Sequence, residues 1–143
     1  MNIREALPAD ATQIHGLLFE LGHSPSVETF LKQFAAYRTS ESARVFVAAE
    51  QNSPLLGVLS ACVIPLFHQA GSLGRITALV VSSHYRGKGV GSALLSAAED
   101  WFRSLGCARA EVVSGDARLD AHRFYQERGF ARASQRFIKR YDS

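Results

Sequence analysis

From Val90 to Leu105 the apolar positions Val90, Leu94, Leu95, Ala98, Trp101, Phe102 and Leu105 recur three or four apart, and Gly106 follows. That period predicts a helix with one apolar face, and a glycine just past the end supplies the left-handed residue on which helices commonly stop. The same spacing predicts a helix from Ala9 to Leu21, through Ile14, Leu17, Leu18 and Leu21, stopped by Gly22. Ser24, Pro25 and Ser26 are start signals for a second helix carrying Val27, Phe30, Leu31 and Phe34 to about Tyr37. "LDAHRFYQER" predicts a short helix closed by Gly129. Between these lie β-branched and apolar runs of strand length. "NIREA" opens the chain, "ARVFVAAE" and "LLGVLSACVI" flank the turn "QNSP" as an antiparallel hairpin, and "GRITALVVS", "ARAEVV" and "QRFIKRY" follow. The near-continuous apolar character of "GRITALVVS" predicts burial on both faces. No linker, repeat or low-complexity tract separates the elements, so residues 1–143 are expected to form a single domain.

Composition excludes several classes without naming an activity. A chain of 143 residues, 47% apolar, is long enough for one core and too short for two ordinary domains. Sixteen Lys and Arg against thirteen Asp and Glu leave +3 with His neutral. That balance suits one anionic small ligand and is too mild to require nucleic acid. Two cysteines, Cys62 and Cys107, with no CxxC pair and no Cys/His cluster of zinc spacing, fit a reduced, cytoplasmic protein without structural metal. The start "MNIREALPAD" is charged at once, and the longest apolar stretch, Leu55 to Phe67, is broken by Gly57, Ser60 and Pro65. Neither a signal peptide nor a membrane span is expected.

The candidate chemistry sits in "SSHYRGKGVGSALLSAAEDW", residues 82–101, between a strand and the strongest helix. In that arrangement the N–H groups of a first helical turn attract a phosphate, and glycines let it approach the backbone closely. Arg86 and Lys88 add charge at the same mouth, so a diphosphate is the guest these groups suit. Two better-known phosphate motifs fail on the letters. A P-loop needs a glycine where Ser82 stands and a Ser or Thr where Gly89 stands, and the dinucleotide fingerprint GxGxxG meets Ser92 or Leu94 in its third glycine position.

What fits is R-x-x-G-x-G, as Arg86, Gly89 and Gly91, after "ITALVVSSHY". With "REALPAD" as an opening strand and turn and "DAHRFYQERGF" as a later helix carrying a tyrosine, the chain resembles the GNAT N-acetyltransferase superfamily over nearly its whole length. The resemblance implies an α/β GNAT fold, a mixed central β-sheet of six to seven strands flanked by about four helices. It also implies acetyl-CoA as co-substrate, with no metal. The strand before the loop would splay from the next parallel strand and take the pantetheine arm in the gap. Backbone groups of Leu79, Val80 and Val81 would pair with pantetheine, and an N–H near Val81 would polarise the thioester carbonyl. A fixed donor of that kind is worth about 3 kcal/mol. Arg86, Gly87, Lys88, Gly89, Val90, Gly91 and Ser92 would hold the pyrophosphate.

By the same resemblance Tyr125 is the general acid that protonates the departing thiolate, although Ala121, Phe124 and Tyr125 share a helix face and the ring can equally serve as packing. Arg118 stands where many members place an asparagine. Glu111 and Asp116 are the carboxylate candidates for a general base, and His68 and His84 the imidazole ones. Cys107 follows a helix C-terminus, where the dipole disfavours a thiolate nucleophile. The implied reaction is acetyl transfer to the primary amine of a small molecule by direct attack in a ternary complex. A protein N-terminus or lysine is the second acceptor class, and a non-catalytic acyl-CoA-binding module is the alternative outside enzymes. "GHSPSVETF" carries one acid, Glu28, which argues against a polycationic aminoglycoside acceptor. No nucleic-acid or membrane partner is expected, and a homodimer is an open alternative.

Overall fold

β-branched runs with alternating burial assemble one sheet. The computed structural model describes residues 1–22, 24–113, 119–133 and 136–141. In it β1 (Asn2–Glu5), β2 (Ala43–Ala49), β3 (Gly57–Pro65), β4 (Ser72–Val81) and β5 (Cys107–Val112) lie side by side in chain order. The first three pairings are antiparallel and the β4–β5 pairing is parallel, so the sheet is mixed. A parallel neighbour needs a crossover. The long helix α3 (Val90–Ser104) provides it. Helices α1 (Ala11–Leu18) and α2 (Val27–Thr39) precede β2, and α4 (Leu119–Glu127) follows β5.

Strand alternation sends side chains to two faces. Val45, Val47, Val58 and Val80 pack with Ile14 of α1 and with Phe30 and Phe34 of α2. The opposite face carries Phe46 and its cross-strand partner Leu59. There the apolar stripe of α3 packs, with Trp101 edge-on to Phe46 at 6.4 Å between ring centroids. Leu94 and Leu95 of that stripe are fully buried, each contributing about 1.5–3 kcal/mol of transfer free energy. Two glycines set how closely α3 approaches. A Cβ at Gly74 would lie 2.5 Å from the Phe102 ring, and one at Gly57 would meet Val90 and Leu94 side-chain atoms at 3.1 Å. Side chains at those positions would push the helix off the sheet, and with it the loop that precedes Val90.

The first helix is shorter than its apolar spacing predicts. Pro8–Asp10 and Phe19–Leu21 are 3-10 turns flanking α1. The cause at the N-terminal end is Asp10, a buried carboxylate that accepts two hydrogen bonds from Arg4 at 2.8 and 3.0 Å and one from the Leu7 N–H at 2.7 Å. These contacts tie β1 to the helix start. The Arg4 hydrogen bonds hold the Asp10 carboxyl below the usual carboxylate range, against the opposing effect of burial. A carboxyl whose pKa is lower in the folded state binds fewer protons there, so its stabilisation is complete above the unfolded value of about 3.9. It fades as pH falls through the lowered folded value. Asp10→Asn should therefore cost about 2 kcal/mol at pH 7, and the loss should shrink toward zero in acid. Urea denaturation of both proteins between pH 7 and pH 2.5 measures it.

The chain divides into two compact units, Met1–Val112 and Val113–Ser143. In the second, α4 ends where Gly129 takes φ +92° and the Phe130 N–H donates to the Tyr125 carbonyl at 3.1 Å. The expected six to seven strands become five among the described residues. The difference lies in "QRFIKRY". Residues 136–141 pair with no strand among the described residues, and Phe137 and Tyr141 are 94% and 89% exposed. An alternating apolar run becomes a strand only where a neighbour takes its N–H and C=O groups. No described helix is long and apolar enough to cross a membrane.

Candidate active site

The site begins where β5 stops pairing with β4. The last parallel pair is Ile76 with Val112, and from Thr77 to Val81 β4 is bonded only to β3 among the described residues. Ladder geometry decides which groups face the open edge. The Ser82 N–H donates to the Leu56 carbonyl at 2.8 Å. Residues of an antiparallel strand alternate between bonding their partner and facing away from it. Two residues earlier, Val80 therefore faces its partner Val58, which leaves the N–H and C=O groups of Leu79 and Val81 on the open edge. The Val80 side chain is buried under α1 and α2. Thr77 is an extra residue in this strand, because Ser60 pairs with Ala78 and Ala61 with Ile76. Such bulges redirect backbone and side chain locally.

The open edge leads directly into the glycine loop. After a 3-10 turn at Ser83–Tyr85, Arg86, Gly87, Lys88 and Gly89 are exposed, and Val90, the first residue of α3, is buried. Gly87 and Gly89 take φ +77° and +82°, a region side chains avoid, and Gly89 is the residue from which the helix starts. The first helical bond runs from the Ala93 N–H to the Gly89 carbonyl at 3.1 Å. The amides of Val90 and Gly91 precede it and have no helical carbonyl behind them. A Cβ on Gly87 or on Gly89 would meet no protein atom within 4 Å. The space beside the backbone is therefore open to a ligand, and the residues fit a phosphate-bearing group.

Three residues outside the expected site, Glu20, Ser53 and Tyr85, contact this loop. Glu20, in the turn after α1, accepts from the Ser83 N–H at 3.3 Å and pairs with Arg86 at 3.5 Å. Part of the Arg86 charge is thus already compensated. Lys88 lies over the Tyr85 ring at 5.8 Å, and the Tyr85 hydroxyl meets Ser53 at 3.2 Å. No local signal marks Glu20, whose partners lie more than sixty residues further on.

Glu111 is on β5 opposite Arg75, one pair inside the fork. Its Oε1 lies 3.4 Å from Arg75 and its Oε2 3.5 Å from Arg109. Both oxygens are engaged by guanidinium groups. His68 and His84 are exposed. Asp116 and Arg118 lie outside the described residues. Burial pushes the Cys107 thiol up, away from nucleophilic thiolate character. Tyr125 is half-buried on α4, edge-on to Phe124 at 5.2 Å and to Phe130 at 5.7 Å, while Arg123 and Gln126 are exposed. Among the described residues no group of three or more His, Cys, Asp or Glu is placed to hold a metal ion.

An open strand edge thus runs into a glycine loop and a helix start. The family model of the Acetyltransferase (GNAT) family matches residues 10–130, and the chain belongs to that family, as a small N-acetyltransferase of α/β GNAT fold. It is 31% identical to the aminoalkylphosphonate N-acetyltransferase of Salmonella typhimurium over 96% of this chain and 89% of that one. It is 34% identical to the uncharacterized N-acetyltransferase YhdJ of Bacillus subtilis over 86% of each. The crystal structure of a GNAT family acetyltransferase from Staphylococcus aureus superposes with a TM-score of 0.80 over 98% of both chains at 21% identity, which speaks to the fold.

Proposed function

We propose that residues 1–143 act as one domain that transfers an acetyl group from acetyl-CoA to the primary amine of a small molecule, by direct attack with both substrates bound. The observation that carries this reading is the open edge of β4 leading into the Gly87–Gly89 loop. The family match across residues 10–130 and the relative named for a small amine acceptor support it.

Acetyl-CoA, when bound, supplies an acetyl group activated as a thioester and a thiolate leaving group. The chain's residues do the rest. The first-turn amides of Val90, Gly91 and Ser92, with Gly87 and Gly89 clearing the approach, hold the pyrophosphate, and Lys88 and Arg86 add charge. The edge-facing groups of Leu79 and Val81 bind the pantetheine arm as a neighbouring strand would. A fixed N–H among them stabilises charge developing on the carbonyl oxygen. The attacking nitrogen must shed protons and the sulfur must gain one. Tyr125 donates to sulfur, and water carries the amine proton away, since Glu111 is engaged by two arginines.

Binding is tested before turnover. Acetyl-CoA at one hundred times its Kd should stabilise the protein by about 2.7 kcal/mol and raise its Tm. A panel of small amines with acetyl-CoA should release free thiol with at least one member. No heat and no melting shift at millimolar acetyl-CoA would overturn the reading.

A further inference from the structure

Thr77 is the first residue of β4 beyond its last pair with β5, and it is the extra residue of the bulge. Its side chain is exposed. On the α1/α2 face its hydroxyl meets the Ser60 hydroxyl of β3 at 2.7 Å and the Tyr37 hydroxyl of α2 at 2.8 Å. Each hydroxyl brings one proton and two lone pairs, so after the two mutual bonds the cluster keeps one proton against several lone pairs. It suits a group rich in donors. The cluster also stands beside the reacting edge, because Leu79, whose N–H and C=O groups face that edge, lies two residues or about 7 Å further along the strand. A thioester whose oxygen accepts from an edge N–H lies near the plane of the sheet, so a nucleophile must reach its carbon from one face or the other. One face is taken by the start of α3, since a Cβ at Gly57, the partner of Val81, would meet Val90 and Leu94 at 3.1 Å. On the other face Val80 is buried under α1 and α2, whereas Thr77 is exposed. The open approach passes Thr77.

We propose that the Thr77 hydroxyl, held by Ser60 and Tyr37, is the subsite for the attacking nitrogen of the acceptor. The inference rests on the acetyltransferase reading and names the groups that hold its nucleophile. A primary amine attacking through its lone pair turns two N–H groups away from the carbonyl carbon, and the surplus lone pairs of the cluster accept them. Hydroxyls do this without a charge of their own. A carboxylate in the same place would favour the ammonium form, which has no lone pair to attack with. Thr77 is thus a catalytic residue that touches the nucleophile, and Ser60 and Tyr37 are positioning residues that fix the direction of its lone pairs.

The test uses the full chain with n-propylamine and ethanolamine as probes, read by calorimetry on the CoA complex and by thiol release from acetyl-CoA. Thr77→Val exchanges the hydroxyl for a methyl group at an exposed position. It should weaken amine binding and lower kcat/KM for the amine at least about tenfold, the loss of one or two hydrogen bonds, with acetyl-CoA affinity and Tm nearly unchanged. Thr77→Ser keeps the hydroxyl and should recover most of the loss. Tyr37→Phe and Ser60→Ala should each raise KM for the amine severalfold with less change in kcat, and they serve if Thr77→Val does not fold. A staple between α2 and the sheet would instead lower Tm and leave the KM for the amine alone. No amine binding to the CoA complex of the parent protein, parental amine affinity in folded Thr77→Val, Thr77→Ser as impaired as Thr77→Val, or parental KM in both Tyr37→Phe and Ser60→Ala would each overturn the proposal. Failure of the acetyltransferase reading would show elsewhere, as no acetyl-CoA binding and no thiol release with any amine.

Discussion

Valine at Gly89 should weaken acetyl-CoA binding by at least about a hundredfold, while stability falls much less. The affinity estimate follows from the loop. Gly89 is exposed and a Cβ there projects into open space beside the first turn of α3, so the valine side chain would occupy the volume assigned to the pyrophosphate. Losing two hydrogen bonds to a charged group, at about 1.5–3 kcal/mol each, corresponds to roughly two to four powers of ten in Kd. The stability estimate follows from φ +82°, a conformation that costs a side chain about 1–2 kcal/mol, somewhat more when β-branched. Gly106 separates the two effects. It closes the other end of α3 at φ +74°, also with no protein atom within 4 Å of a Cβ, and has no part in the loop. Gly106→Val should show a similar loss of Tm with acetyl-CoA affinity intact. Wild-type affinity in folded Gly89→Val would refute the loop assignment, and equal affinity loss in both variants would assign the effect to helix strain.

What the sequence disclosed was local. The stripe from Val90 to Phe102, the Ser26 cap whose hydroxyl accepts from the Thr29 N–H at 3.1 Å, and the glycines around Lys88 all depend on neighbours within a few residues. The sheet edge is different. "GRITALVVS" is apolar throughout, and nothing in it tells that pairing with β5 ends at Ile76, because the partner, Val112, is far along the chain. The same distance hid Glu20 from Ser83 and Arg86, and Tyr37 from Thr77. The pairing of Glu111, a general-base candidate, with Arg75 was hidden in the same way, since Arg75 arrives only through strand register. "QRFIKRY" errs for a related reason, since alternation describes a side-chain pattern and says nothing of whether a partner is at hand. The first helix lost its ends to 3-10 turns, at Pro8–Asp10 with the Asp10 contacts to Arg4 and Leu7.

Tyr125→Phe should lower the rate of acetyl transfer by roughly ten- to a thousandfold, with acetyl-CoA affinity changed by no more than a small factor. The substitution keeps the ring, and with it the edge-on contacts to Phe124 and Phe130, and removes only the hydroxyl. A phenol is protonated at neutral pH and can donate to a departing thiolate, whereas phenylalanine cannot. An interaction made mainly in the transition state appears in kcat and leaves binding of the ground-state thioester in place. Two controls isolate that effect. Thermal denaturation must show that the variant is folded, because a half-buried hydroxyl can also contribute to stability. An acyl donor with a more acidic leaving thiol should recover much of the lost rate, since such a thiolate departs with less need of a proton. Activity equal to the parent protein, under conditions where chemistry limits turnover, would make Tyr125 a packing residue and hand protonation of the sulfur to water.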